Sequence, residues 1–164
     1  MVFPAIASIW FLLERGWNFF ISGERNLEYL LMVSFTALIL IYGGYITFFE
    51  SENLWGSLIA FLGVTLRIWG RAVLKESFSV RLKKPEKLIK NGPYALIRHP
   101  LYLGLALLCL GGVTASESRL LILPFSLNLF ILIRKIIKEE KVLEELPEFK
   151  DYRKRTWRLI PFVW

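Results

Sequence analysis

One histidine, His99, stands beside Arg98 in the stretch Asn-Gly-Pro-Tyr-Ala-Leu-Ile-Arg-His-Pro-Leu-Tyr-Leu-Gly that runs from Asn91 to Gly104. Gly92-Pro93 marks a turn, and Pro100 suits the first turn of a following helix because its missing N–H breaks no bond there. Arg98, His99 and Tyr102 therefore surround the mouth of a helix, where free backbone N–H groups can face an anion. A second group lies farther along. Lys135 and Glu139 are four residues apart and share one helical face, with Glu140 adjacent. If the apolar segments between the two groups form an antiparallel hairpin, an acid, a base-capable imidazole and several cations meet at one cleft.

The elements that must position these groups are apolar. Phe3 to Ile21 is a hydrophobic, aromatic segment interrupted by Glu14-Arg15-Gly16, which predicts either an interfacial helix or a span whose charges face protein. Tyr29 to Phe49 carries no charged residue, and about 21 helical residues cover a hydrocarbon core of roughly 30 Å. The acidic turn Glu50-Ser51-Glu52-Asn53 follows, then a further span from Leu54 to Leu74. Arg67 lies deep in that span and is expected to face a polar cavity or an anion, whereas Arg71 can snorkel. The stretch from Lys75 to Arg98 is strongly basic, which places it on the cytoplasmic side.

Leu101 to Val113 and Leu120 to Ile137 form the predicted hairpin, joined by a polar turn at 114–118 and with a kink expected at Pro124. The tail to Trp164 is charged and amphipathic, with Leu143, Leu146, Phe149 and Tyr152 as its apolar contacts. The pattern predicts an all-α, polytopic membrane protein of about five membrane helices, including a C-terminal helical hairpin and a cytoplasmic cleft.

Composition agrees with a membrane protein. The 164 residues are 55% hydrophobic with a net charge of +7, and they fit a single domain, 1–164. A nucleic-acid binder would share the charge but not the long uncharged runs. One histidine and one cysteine, Cys109, make no tetrahedral zinc site. No Gly-x-Gly-x-x-Gly, Walker-type loop or Gly-x-Ser-x-Gly elbow is present. The N-terminus lacks the basic start and cleavage site of a signal peptide, so the first helix is expected to be retained.

Gly92-Pro93-Tyr94, Arg98-His99-Pro100-Leu101-Tyr102-Leu103-Gly104, Glu139-Glu140-Lys-Val-Leu143 and the tail ending Arg158-Leu-Ile-Pro161 occur in a fixed order. That ordered set resembles the isoprenylcysteine carboxyl methyltransferase family, within a wider group that includes phospholipid N-methyltransferases. The resemblance covers the chain from about Glu86 onward, so residues 1–74 would be membrane helices and 75–164 the cofactor-binding half. It implies S-adenosyl-L-methionine as cofactor and a lipophilic or prenylated acceptor drawn from the membrane. His99, Pro100, Leu101 and Tyr102 would line the cofactor pocket with Tyr94 and Arg98 beside them. Glu86, Lys87, Leu88 and Ile89 would contribute mainly backbone contacts, and Glu139, with Glu140, would bind the ribose or amino group. Lys135, next to Arg134, stands where the family tends to place an arginine that meets the substrate carboxylate. Lys135, Arg134 and Arg67 form the candidate catalytic set.

A carboxylate needs no general base to attack a sulfonium methyl group in line, so the protein's task would be to hold donor and acceptor together and exclude water. His99 would then position the cofactor. Three alternatives stand beside carboxyl O-methylation of an isoprenylcysteine-like substrate. One is N-methylation of a phospholipid or other small amine, another is reduction of an isoprenoid double bond with a nicotinamide cofactor, and the last is a non-enzymatic membrane scaffold whose basic loop binds lipid headgroups.

Overall fold

The computed structural model describes residues 1–13, 27–50, 52–74 and 88–164. Six α-helices account for most of them: α1 (Val2–Leu13), α2 (Leu27–Phe49), α3 (Leu54–Leu74), α4 (Pro100–Ser116), α5 (Ile122–Leu143) and the short α6 (Phe149–Arg155). Leu27–Phe49, Leu54–Leu74 and the stretch Arg119–Leu143 are each long and apolar enough to cross a membrane, while α1 and α4 are shorter apolar helices. The all-α membrane architecture expected from the sequence is what the described residues adopt. Glu14, Arg15 and the remainder of the first apolar segment lie outside the described residues, as does the basic stretch 75–87.

α3 and α4 run antiparallel with their backbones in contact. Gly56, Gly63 and Gly70 recur every seven residues along α3, and an added Cβ would lie 2.1 Å from Ala115 N at Gly56 and 2.6 Å from Gly104 O at Gly63. Gly104 and Gly111 answer from α4, where an added Cβ would lie 2.4 Å from Arg67 Cγ and 2.5 Å from Ala60 N respectively. Helices in lipid gain no hydrophobic drive from meeting each other, so close backbone approach through small residues is how they bind. This pairing sets the end of α3 beside the start of α4.

Two details differ from the sequence expectation. The polar turn at 114–118 starts later, because α4 continues through Thr114 and Ser116. Their hydroxyls donate to Leu110 O (2.9 Å) and Gly112 O (2.8 Å), so the polar side chains are satisfied within the helix. Pro124, expected to kink the returning helix, falls in the first turn of α5, after a 3₁₀ turn at Arg119–Leu121. Its missing N–H breaks no helical bond at that position, so the reason for a kink disappears.

The bundle has two chemically distinct ends. At one, Asn53 N donates to Ala115 O (2.9 Å) and Asn53 Nδ2 to Glu117 Oε1 (2.8 Å). Glu52 caps α1 there by accepting from Val2 N (2.7 Å) and Phe3 N (2.6 Å), as well as from the Met1 ammonium and Ser57. The cap holds α1 so that Phe3, Ile6 and Trp10, one helical stripe, are buried in the core. At the opposite end meet the close of α3, the start of α4, the close of α5 and the tail.

Candidate functional site

Local sequence shapes the mouth of α4. Gly92 takes a positive φ of 60°, and an added Cβ would lie 2.7 Å from Val73 Cγ2, so glycine is required twice over. Pro93 then opens a 3₁₀ turn over Gly92–Ala95, and Pro100 opens α4 with His99 as the residue before it. The tail lies alongside the connecting segment. Ile97 and Trp157 form a parallel β-bridge, with Trp157 N donating to Leu96 O (3.0 Å) and Arg98 N to Trp157 O (2.8 Å). Tyr152 Oη adds a bond to Tyr94 O (2.7 Å).

Three charged residues lock this junction to α5. Glu140, 3% exposed, accepts from Arg98 Nε (2.8 Å) and Arg158 Nε (2.8 Å), and Arg158 Nη2 lies 2.7 Å from the same carboxylate. Arg98 also donates to the backbone oxygens of Thr156 and Arg153. Arg98 and Glu140 thus direct much of their hydrogen bonding to each other and to the tail.

His99 is buried between the two glutamates. Its Nδ1 is 3.6 Å from Glu139 Oε2 and its Nε2 3.4 Å from Glu140 Oε1, longer than a good N–H···O bond. Nε2 has no hydrogen-bond partner. Burial alone would push the imidazole pKa down, but the Glu139 and Glu140 carboxylates outweigh it, and the pKa is raised. Glu139 also accepts from Tyr102 Oη and is the more exposed glutamate, with 26% of its side chain open.

Lys135 extends the group along α5. Its Nζ sits 5.2 Å from the centre of the Tyr29 ring and 5.9 Å from that of Tyr102, within cation–π range of both. Arg134 points elsewhere: it is exposed, lies over Phe130 and is 3.2 Å from Glu28 of α2. Arg67 is buried beneath the mouth of α4, where its Nη1 donates to Leu101 O (2.7 Å) and its guanidinium lies over Trp10. Of the sequence-derived residues, the fold brings together His99, Tyr102, Lys135, Glu139, Glu140 and Arg98. Pro100 and Tyr94 are buried beside them, and Leu101 carries the carbonyl that Arg67 meets. Leu88 and Ile89 are half-buried ahead of the 3₁₀ turn, and Glu86 and Lys87 lie outside the described residues.

Sequence reasoning singled out neither Tyr29 nor Arg158 for this site. Arg158 had a visible signal in the terminal Arg-Leu-Ile-Pro run, while Tyr29 had none beyond its place at the start of an uncharged helix.

The model of one protein family matches residues 56–145: the isoprenylcysteine carboxyl methyltransferase (ICMT) family. The chain belongs to that family. The matched region takes in α3, α4 and α5, so it contains His99, Tyr102, Lys135, Glu139 and Glu140 and stops short of Arg158. Membership makes the protein one of a family of membrane methyltransferases. Two curated relatives carry other names. The cobalt-zinc-cadmium resistance protein CzcN of Cupriavidus metallidurans is 30% identical over 157 residues, covering 91% of this chain and 69% of that protein. The nickel-cobalt-cadmium resistance protein NccN of Alcaligenes xylosoxydans xylosoxydans is 33% identical over 107 residues, covering 63% of this chain and 48% of that protein.

Proposed function

We propose that this ICMT-family protein transfers a methyl group from S-adenosyl-L-methionine to a carboxylate on a lipophilic acceptor, with the site on the cytoplasmic face. The observation that carries the acceptor class is the Lys135 ammonium, held against Tyr29 and Tyr102 one helical turn before Glu139. A fixed cation there attracts a carboxylate and repels an amine headgroup, which favours O-methylation over phospholipid N-methylation. The basic charges near this end favour its cytoplasmic placement.

The residues suit the cofactor. Glu139 is the partly open carboxylate, able to accept from ribose hydroxyls or an amino group, and His99 carries a buried ring nitrogen with no hydrogen-bond partner. Bound there, the cofactor would supply an electrophilic methyl group on a sulfonium. His99 and Glu139 would orient it, Tyr102 would hold Glu139 in place, and Lys135 would steer the acceptor carboxylate without removing a proton. The packing of the tail against the segment before α4, where Ile97, His99, Tyr152 and Thr156 are buried, would keep bulk water from that side.

The names of both relatives connect their proteins with metal resistance. We place this chain's part in such resistance in methylation of a membrane-associated acceptor. Calorimetry with S-adenosylhomocysteine, together with transfer of radiolabelled methyl to a farnesyl-cysteine analogue and to phosphatidylethanolamine, tests the assignment. Binding and preferential labelling of the analogue are expected. Absence of S-adenosylhomocysteine binding, or labelling of the amine lipid alone, would overturn it.

A further inference from the structure

Two turns below Lys135, the same face of α5 carries another polar residue. Asn128 is 1% exposed and donates Nδ2 to Thr36 Oγ1 of α2 (2.9 Å), with Cys109 Sγ of α4 at 3.7 Å. The Thr36 hydroxyl proton is directed to Met32 O (2.8 Å), which leaves its oxygen to accept and fixes which way the amide points. Asn128 Oδ1 has no hydrogen-bond partner. A polar side chain at this depth is costly, and an unmet carbonyl adds to the cost.

The polar contacts repeat with one spacing on three helices. Seven residues forward from Asn128 is Lys135; seven back from Thr36 is Tyr29; seven back from Cys109 is Tyr102. Lys135 meets Tyr29 and Tyr102, as Asn128 meets Thr36 and Cys109. Seven residues make nearly two turns, about 10.5 Å of rise, so the lower layer stands directly beneath the upper one. Met32, Leu105, Ile131 and Leu132 belong to the apolar core between the layers. Apolar packing tolerates sliding and repacking, whereas an amide that slips in hydrocarbon loses its partners.

We infer that Asn128 is a positioning residue: it locks the depth and rotation of α5 against α2 and α4, and through them sets Lys135 and Glu139 opposite Tyr29 and Tyr102. The role deepens the proposed methyl transfer and rests on it for the activity readout, while the helix register has a readout of its own.

Asn128→Leu and Thr36→Val in the full chain test the lock, with Thr36→Ser as the variant that keeps the hydroxyl. Leucine removes the unmet carbonyl along with the lock. The thermal midpoint of Asn128→Leu should therefore hold or rise, while KM for the farnesyl-cysteine analogue increases about tenfold. Thr36→Val should show the same KM effect and Thr36→Ser should restore wild-type behaviour. Register is read separately by cross-linking Glu28→Cys to Lys138→Cys with a short bis-maleimide, since these side chains pair across α2 and α5 at the site end. Cross-linking should slow several-fold when Asn128→Leu is added. Unchanged cross-linking, or a fall in thermal midpoint with KM unaltered, overturns the inference. Absence of methyl transfer in the wild type counts against the proposed function alone, and cross-linking then decides the register question.

Discussion

Glu140 of α5 and Arg158 of the tail meet through two guanidinium nitrogens, and the carboxylate that joins them is almost completely buried. Arg98 holds the other oxygen of Glu140. One carboxylate thus ties three segments together: the entry to α4, the end of α5 and the chain after α6. The arrangement holds His99, the residue before α4, against Glu139 and Glu140 of α5.

Removing that carboxylate leaves two guanidiniums facing each other in a buried place. Glu140→Gln should cost about 3 kcal/mol, because breaking one partner of a buried ion network strands the rest. Thermal unfolding in detergent measures the loss, and limited proteolysis should cut the tail sooner. A variant as stable as wild type would contradict the clasp.

His99 predicts a dependence on pH with a definite sign. Its folded pKa lies above the ordinary histidine value because of Glu139 and Glu140, so the folded state binds the proton more tightly than the unfolded chain. The resulting stability is fully present below the ordinary value of about 6.5 and fades as pH rises through the folded pKa. The thermal midpoint should decline over that alkaline interval, and His99→Gln should flatten the decline. An identical profile in both proteins would show that His99 is not responsible.

Glu52 carries the opposite sign. Burial pushes its pKa up, but the bonds it accepts from the Met1 ammonium, Ser57 and the N–H groups of Phe3 and Val2 hold it down at about 2. Its contribution is present above the ordinary carboxylate range and is lost as pH falls towards that value. Glu52→Ala should cost about 1 kcal/mol through the lost cap of α1. Equal acid sensitivity of variant and wild type would argue against the cap.

The contact between α3 and α4 predicts a contrast between glycines. Gly63→Ala places a Cβ against the Gly104 carbonyl and the Leu108 backbone, neither of which can swing aside. A loss of about 1–3 kcal/mol is expected from such overpacking. Gly44 has nothing within 4 Å of an added Cβ, so Gly44→Ala should be neutral or slightly stabilising. Thermal midpoints of the two proteins compare them directly.

Lys135 and Arg134 are adjacent cations with different surroundings. Lys135→Ala should raise KM for a carboxylate acceptor by about tenfold or more while leaving S-adenosylhomocysteine affinity nearly unchanged. Arg134→Ala should do little, because Arg134 is exposed and directed at Glu28. Equal effects from the two substitutions would undermine the role given to Lys135.

Much of the scaffold was legible from local pattern. A predominantly apolar run long enough to cross hydrocarbon must become a helix, since no other local structure satisfies its backbone there. That pattern predicts α2 and α3 within a residue or two, and an antiparallel hairpin of α4 and α5 places Tyr102 near Glu139. The ends were less legible: Thr114 and Ser116 look like turn residues, but their hydroxyls bond back into α4.

The sequence by itself determined the membrane helices, the proline-shaped mouth before α4 and the helical face shared by Lys135 and Glu139, because each follows from spacing within one segment. Only the tertiary structure decided which groups meet across segments. It set Arg134 on Glu28 and Lys135 on two tyrosine rings, although the two cations are neighbours in the chain. It joined Arg158 to Glu140, and Asn128 to Thr36 and Cys109. Such partners depend on the rotation and depth of one helix against another, and those are set by glycine contacts and buried polar bonds between residues far apart in sequence.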